Sequence, residues 1–203
     1  MKVIEHKLYR DDGKAVPFRQ SPNHSAGIEH VFLLVHFTAG RGFHQACDWL
    51  CNPKSKASAH IVIASDGEVA QLVPFSRRAW HAGRSKWQDY DGLNSYSIGI
   101  ELDSPGPLQK RATGWYTWFG VKVPDDQVII AAHKYGGPER GWMAYPDAQI
   151  EALYEVCEGL IDAYPSIQDV LGHEDVSPGR KVDPGPALSL DMVRTWLFGR
   201  EGK

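Results

Sequence analysis

Residues 31–36 read Val-Phe-Leu-Leu-Val-His, an unbroken apolar run closed by an imidazole. A run without polar alternation fits a central strand buried on both faces, which needs a layer above it and another below. The neighbouring segments can supply those layers. A small-residue turn, Thr38-Ala39-Gly40, leads into a helical stretch over residues 42–50 that Asn52-Pro53 stops. Residues 60–64 and 69–73 flank Ser65-Asp66-Gly67, a hairpin signal with Asp-Gly in the turn. Residues 97–102, Ser-Ile-Gly-Ile-Glu-Leu, predict another strand, with Gly99 admitting a close neighbour.

Farther on, Ile150, Leu153, Tyr154, Cys157, Leu160, Ile161 and Tyr164 recur at helical spacing. Asp147 is placed to cap that helix and Pro165 to end it. A shorter helix over residues 190–198 closes the chain on Val193, Trp196 and Leu197. The expected fold class is mixed α/β, a single domain over residues 1–203 with a central mixed β-sheet flanked by helices. Residues 105–145 are less regular and rich in Gly, Pro and Trp, with one short strand candidate at 128–130. A loop-rich stretch of that length in a compact domain reads as functional or substrate-shaping. Trp115, Trp118 and Trp142 are expected to pack that segment, with stacking on sugar rings as the other reading.

Composition narrows the partners. The formal net charge is only -3 over 203 residues, and there is no basic block. That removes the electrostatic case for nucleic acid or an anionic membrane surface. Residues 1–17 are mixed charged and polar, and no apolar stretch approaches membrane-spanning length. Three cysteines are a small, odd set that argues for a reducing compartment. Together these point to a cytoplasmic protein, with release to the cell wall as the alternative. Cys47 and Cys51, on one face of a helix, are expected to be packed thiols.

Three candidate metal ligands end or follow strand-like runs. His36 closes the first strand, His173 follows Val170-Leu171-Gly172, and Asp183 lies ten residues beyond His173. Two imidazoles and a carboxylate make a three-ligand zinc set with the fourth position open to water. Hydrolysis at such a centre needs a carboxylate base and a cation for the developing oxyanion. Glu101, at the end of its own strand, is the candidate base. Lys181, two residues before Asp183 in an extended segment, points the same way as that ligand and is the candidate oxyanion partner.

The stretch Gly-His-Glu-Asp-Val-Ser-Pro-Gly-Arg-Lys-Val-Asp-Pro-Gly-Pro, residues 172–186, resembles the signature of the AmpD-like N-acetylmuramoyl-L-alanine amidases. Their wider family includes peptidoglycan recognition proteins and phage-lysozyme-type amidases. Three further blocks match in order: Val35-His36-Phe37-Thr38-Ala39-Gly40, then Ser58-Ala59-His60 through Gly67 to Pro74, then Arg78-Ala79-Trp80-His81-Ala82-Gly83 with residues 97–101. The resemblance spans about residues 31–188. It implies one zinc ion per chain on His36, His173 and Asp183, with Glu101 and Lys181 catalytic. It also implies a guanidinium at Arg180 for a stem-peptide carboxylate. His81 is expected to shape the cleft wall. His60 has two readings: supporting the site from behind or facing substrate, or packed and hydrogen-bonded in the core. The implied substrates are muropeptides in cell-wall recycling; a bacteriolytic amidase and a silent peptidoglycan-binding module are the alternatives. His6, His24, His30, His44 and His133 match no motif and read as ordinary surface or core residues.

Overall fold

A computed structural model describes residues 1–199 of the chain. The first apolar run forms strand β1 (Phe32–Phe37), and helix α1 (Phe43–Leu50) follows it. The hairpin is β2 (Ile61–Ile63) with β3 (Val69–Gln71), and the third long apolar run is β4 (Ser97–Leu102). Three short strands then make a small meander: β5 (Gln109–Arg111), β6 (Gly114–Tyr116) and β7 (Lys122–Val123). A second hairpin pairs β8 (Val128–Ala131) with β9 (Arg140–Met143). The chain ends with α2 (Asp147–Ala163), β10 (Asp169–Gly172), α3 (His173–Val176) and α4 (Leu190–Phe198).

The central sheet has the order β10-β1-β4-β2-β3. The first four are parallel, and β3 returns antiparallel to β2, so the sheet is mixed. Alternation along β1 and β4 sends side chains to two different layers. Leu33, Val35, Ile98 and Ile100 pack with Leu153, Val156 and Leu160 of α2 and Val193 of α4. On the opposite face Phe32, Leu34 and Leu171 meet Ala82, Leu93 and Val176. A separate cluster joins Phe43, Ala46, Cys47 and Leu50 of α1 to Val62, Ala70 and Leu72. All three cysteines are free; Cys47 is buried and Cys51 half-buried, as packed thiols should be. No helix among the described residues is long and apolar enough to cross a membrane.

Two local expectations change. Asp147 does not cap α2: Pro146 holds the cap position and Asp147 is the first helical residue, with no side-chain cap bond. A carboxylate there still sits favourably at the positive end of the helix dipole. Residues 105–145, expected as loop with one strand, contain five short strands in two small sheets. Strands of two to four residues are too brief to show a period of two. Trp142 is buried there and Trp115 packs on Gly141, whereas Trp118 stays 49% exposed with its Nε1–H on Ala39 O.

Candidate active site

The register of the parallel strands assembles the site. His36 of β1 lies directly beside Glu101 of β4, and Val35 beside Gly172 of β10, the residue before His173. Both His36 and Glu101 belong to the face opposite α2, at the carboxyl ends of the strands, where open α/β sheets gather their ligands. Asp183 arrives from the loop after α3, whose Glu174 N–H donates to Asp183 O at 2.8 Å. His36, His173 and Asp183 are buried, and their ligand atoms lie within 4.8 Å of one another.

The hydrogen bonds fix which atoms face inward. His81 Nε2 lies 3.2 Å from Ser97 O, a pure acceptor, so that nitrogen carries the proton. His81 Nδ1 is then an acceptor, and it takes His36 Nε2–H at 3.0 Å. His173 Nε2–H likewise donates to Ala82 O at 3.0 Å; Arg180 Nη2 approaches the same nitrogen at a longer 3.4 Å. In the neutral rings both Nδ1 atoms therefore present lone pairs. They face each other at 2.8 Å, with Asp183 Oδ2 3.0 Å from each. Two lone pairs and a carboxylate at this separation repel unless a cation lies among them. The donor set fits a divalent metal.

Electrostatics agree. Burial, reinforced by neighbouring His173, lowers the His36 pKa to about 4 and keeps the ring neutral. Glu101 is half-buried, and its Oε2 is sealed from solvent and takes no hydrogen bond among the described residues. Burial and then the Asp183 charge raise Glu101 to about 8, with Lys181 acting against them. Lys181 lies close enough for its charge to reach both His36 and Glu101.

The remaining candidates divide. Arg180 Nη2 is tied to Ala82 O, Arg84 O and Ser177 Oγ at 2.8, 2.7 and 2.6 Å, and Nη1 has no partner among the described residues. His60 is fully buried, with Nδ1 accepting Gly99 N–H at 2.9 Å and Nε2–H on Arg77 O at 2.9 Å. Of its two readings, the packed one matches this placement. His81, expected on the cleft wall, has both ring nitrogens engaged, Nε2–H with Ser97 O and Nδ1 with His36 Nε2–H. His133 proves to be a buried partner of Glu174, a pairing across 41 positions that nothing in its local sequence signals.

Gly99 makes room for this arrangement, since a Cβ there would stand 2.4 Å from His81 Cγ. Gly99→Ala is expected to push the imidazole away from His36 and cost about 1–3 kcal/mol by overpacking. Thermal unfolding and metal affinity, measured together, check this; an unchanged Tm with unchanged affinity would show that the ring is not confined.

Comparison with known proteins places this geometry. Residues 23–186 match the family model described as N-acetylmuramoyl-L-alanine amidase. The 1,6-anhydro-N-acetylmuramyl-L-alanine amidase AmpD of Escherichia coli is 38% identical over 140 residues, 68% of this chain and 57% of that protein. The aligned part thus spans little more than half of that relative's length. A crystal structure of a selenomethionine AmpD derivative superposes with a TM-score of 0.67 at 27% identity, covering 97% of this chain and 99% of that one. The amidase AmiD of E. coli, solved with anhydro-N-acetylmuramic acid-L-Ala-D-gamma-Glu-L-Lys, gives 0.61 at 28% identity over 88% of this chain and 60% of that one.

Proposed function

The chain belongs to the N-acetylmuramoyl-L-alanine amidase family, and from that premise we propose that it hydrolyses the amide joining the lactyl group of N-acetylmuramic acid, or its 1,6-anhydro form, to L-Ala of peptidoglycan stem peptides. One observation carries the reading: two imidazole lone pairs and a carboxylate converge at about 3 Å beside a buried oxygen of Glu101 that has no partner among the described residues. Mixed nitrogen and oxygen donors from three residues suit zinc with a coordination position to spare. Zinc on His36, His173 and Asp183 would supply a Lewis acid that polarises the scissile carbonyl and eases deprotonation of water.

The chain's own groups perform the rest. Glu101 accepts the proton of the attacking water at its unpartnered oxygen and delivers it to the leaving amine of L-Ala. The Lys181 ammonium stabilises the oxyanion of the tetrahedral intermediate. Arg180, anchored through Nη2, turns its remaining edge to a stem-peptide carboxylate, for which a planar guanidinium is well matched. The similarity to a 1,6-anhydro-N-acetylmuramyl-L-alanine amidase favours soluble muropeptides as substrates, and hence wall recycling in the cytoplasm.

Separate incubations of the zinc-loaded protein with soluble anhydromuropeptides and with intact sacculi test this, with products identified by mass. The expected result is release of free stem peptide from the soluble substrate and sacculi left intact. Solubilised sacculi would identify a lytic amidase of the same chemistry. If zinc binds and neither substrate is cut, the enzymatic reading fails and a peptidoglycan-binding module takes its place.

A further inference from the structure

The hairpin β8–β9 and the loop that joins its strands contribute no group to the catalytic set, yet they grip both segments that carry the later metal ligands. In the loop, His133 Nε2 lies 2.5 Å from Glu174 Oε2. Lys134 Nζ bridges Glu174 Oε1 at 2.8 Å and Asp175 Oδ1 at 2.6 Å, and Tyr135 donates its hydroxyl to Asp175 Oδ1 at 3.1 Å. Glu174 and Asp175 directly follow His173, and both are buried. Asp175 Oδ2 also accepts Gly172 N–H at 2.8 Å, so the turn that launches His173 is held on either side.

The second ligand segment is held from the other end of the hairpin. The Trp142 ring of β9 packs on Gly185, where a Cβ would come within 2.8 Å of it. Just beyond β9, Tyr145 donates its hydroxyl to Pro184 O at 2.8 Å, next to Asp183. The bond from Glu174 N–H to Asp183 O ties the two segments together. Two adjacent buried carboxylates are costly unless a cation meets them, and Lys134 meets both. Neither carboxylate takes part in the proposed chemistry. Their contacts are to the hairpin, to the Gly172 amide and, for Asp175, to Arg194 at 4.0 Å.

We infer that the hairpin β8–β9 is a buttress of the metal centre that holds His173 and Asp183 at metal-binding separation, with Lys134 and Tyr145 as positioning residues. This rests on the metal-centre reading given above. Groups that orient metal ligands from behind commonly change metal affinity by about 10–100-fold when removed. Lys134 acts on the His173 segment and Tyr145 on the Asp183 segment, so each can be removed separately.

The test uses the full chain carrying Lys134→Met, Lys134→Arg or Tyr145→Phe. Zinc Kd is measured by chelator competition well below the unfolding temperature, and hydrogen exchange of the Glu174 amide is followed in the metal-free protein. Lys134→Met and Tyr145→Phe should each weaken zinc binding about tenfold or more and speed exchange at Glu174, and Lys134→Arg should restore most of both. Should Lys134→Met fail to fold, Tyr145→Phe, which removes a single oxygen, decides the matter alone. A lowered Tm with zinc affinity within twofold of wild type and unchanged exchange overturns the buttress. Absence of zinc binding by the wild-type protein would instead defeat the metal reading, and the exchange measurement would still decide whether the hairpin holds the ligand segments.

Discussion

Glu101→Ala is expected to lower turnover by roughly 10²- to 10⁴-fold while zinc content stays near one per chain, because the side chain serves as proton carrier and not as ligand. Its neighbour in register, His36, is the proposed ligand, and Glu101 offers an oxygen with no partner among the described residues. The pH profile carries the same signature. Without metal, burial and Asp183 hold Glu101 at about 8, so the group is mostly protonated at neutral pH and unable to act as base. A divalent cation beside it favours the carboxylate and moves this value down. Activity of the zinc-loaded enzyme should therefore rise with pH through the lowered Glu101 pKa, and Glu101→Gln should lose that acidic limb along with the rate. Atomic absorption and a pH series on purified variants measure both. Wild-type turnover in Glu101→Ala, with one zinc bound, would assign the base elsewhere.

Legibility in the sequence followed the strength of the local signal. The runs that became β1 and β4 and the apolar spacing of α2 and α4 were strong enough to set the layers. The small sheets of residues 105–145 were hidden because their strands run only two to four residues. The ligand set is a different case. His36 and His173 are 137 positions apart, and no periodicity relates them. Residue chemistry made a metal centre conceivable, whereas the order of the motif blocks brought its parts together. His81 shows where motif reading stops. Its block was visible, but its place behind His36 depends on the empty side of Gly99, eighteen positions later on another strand. The grip of His133 and Lys134 on α3 was likewise invisible, since a loop side chain carries no mark of the buried acid it will meet.

His173→Ala is expected to abolish both zinc binding and activity. The loss in affinity should exceed the about 10–100-fold that removal of a merely orienting group brings, since one of three protein donors disappears. The fold should survive the change. Ala82 O, which accepts His173 Nε2–H, is also bonded by Arg180 Nη2 at 2.8 Å and so keeps a partner. In the metal-free protein the substitution also removes one of the two facing Nδ1 lone pairs. Its metal-free Tm should therefore stay close to that of the metal-free wild type. The difference should appear on adding zinc, which raises the Tm of a protein that binds it only when folded. Saturating zinc should raise the wild-type Tm and leave His173→Ala unmoved. A variant that retains zinc at wild-type affinity would remove His173 from the ligand set, and with it the convergence on which the amidase mechanism rests.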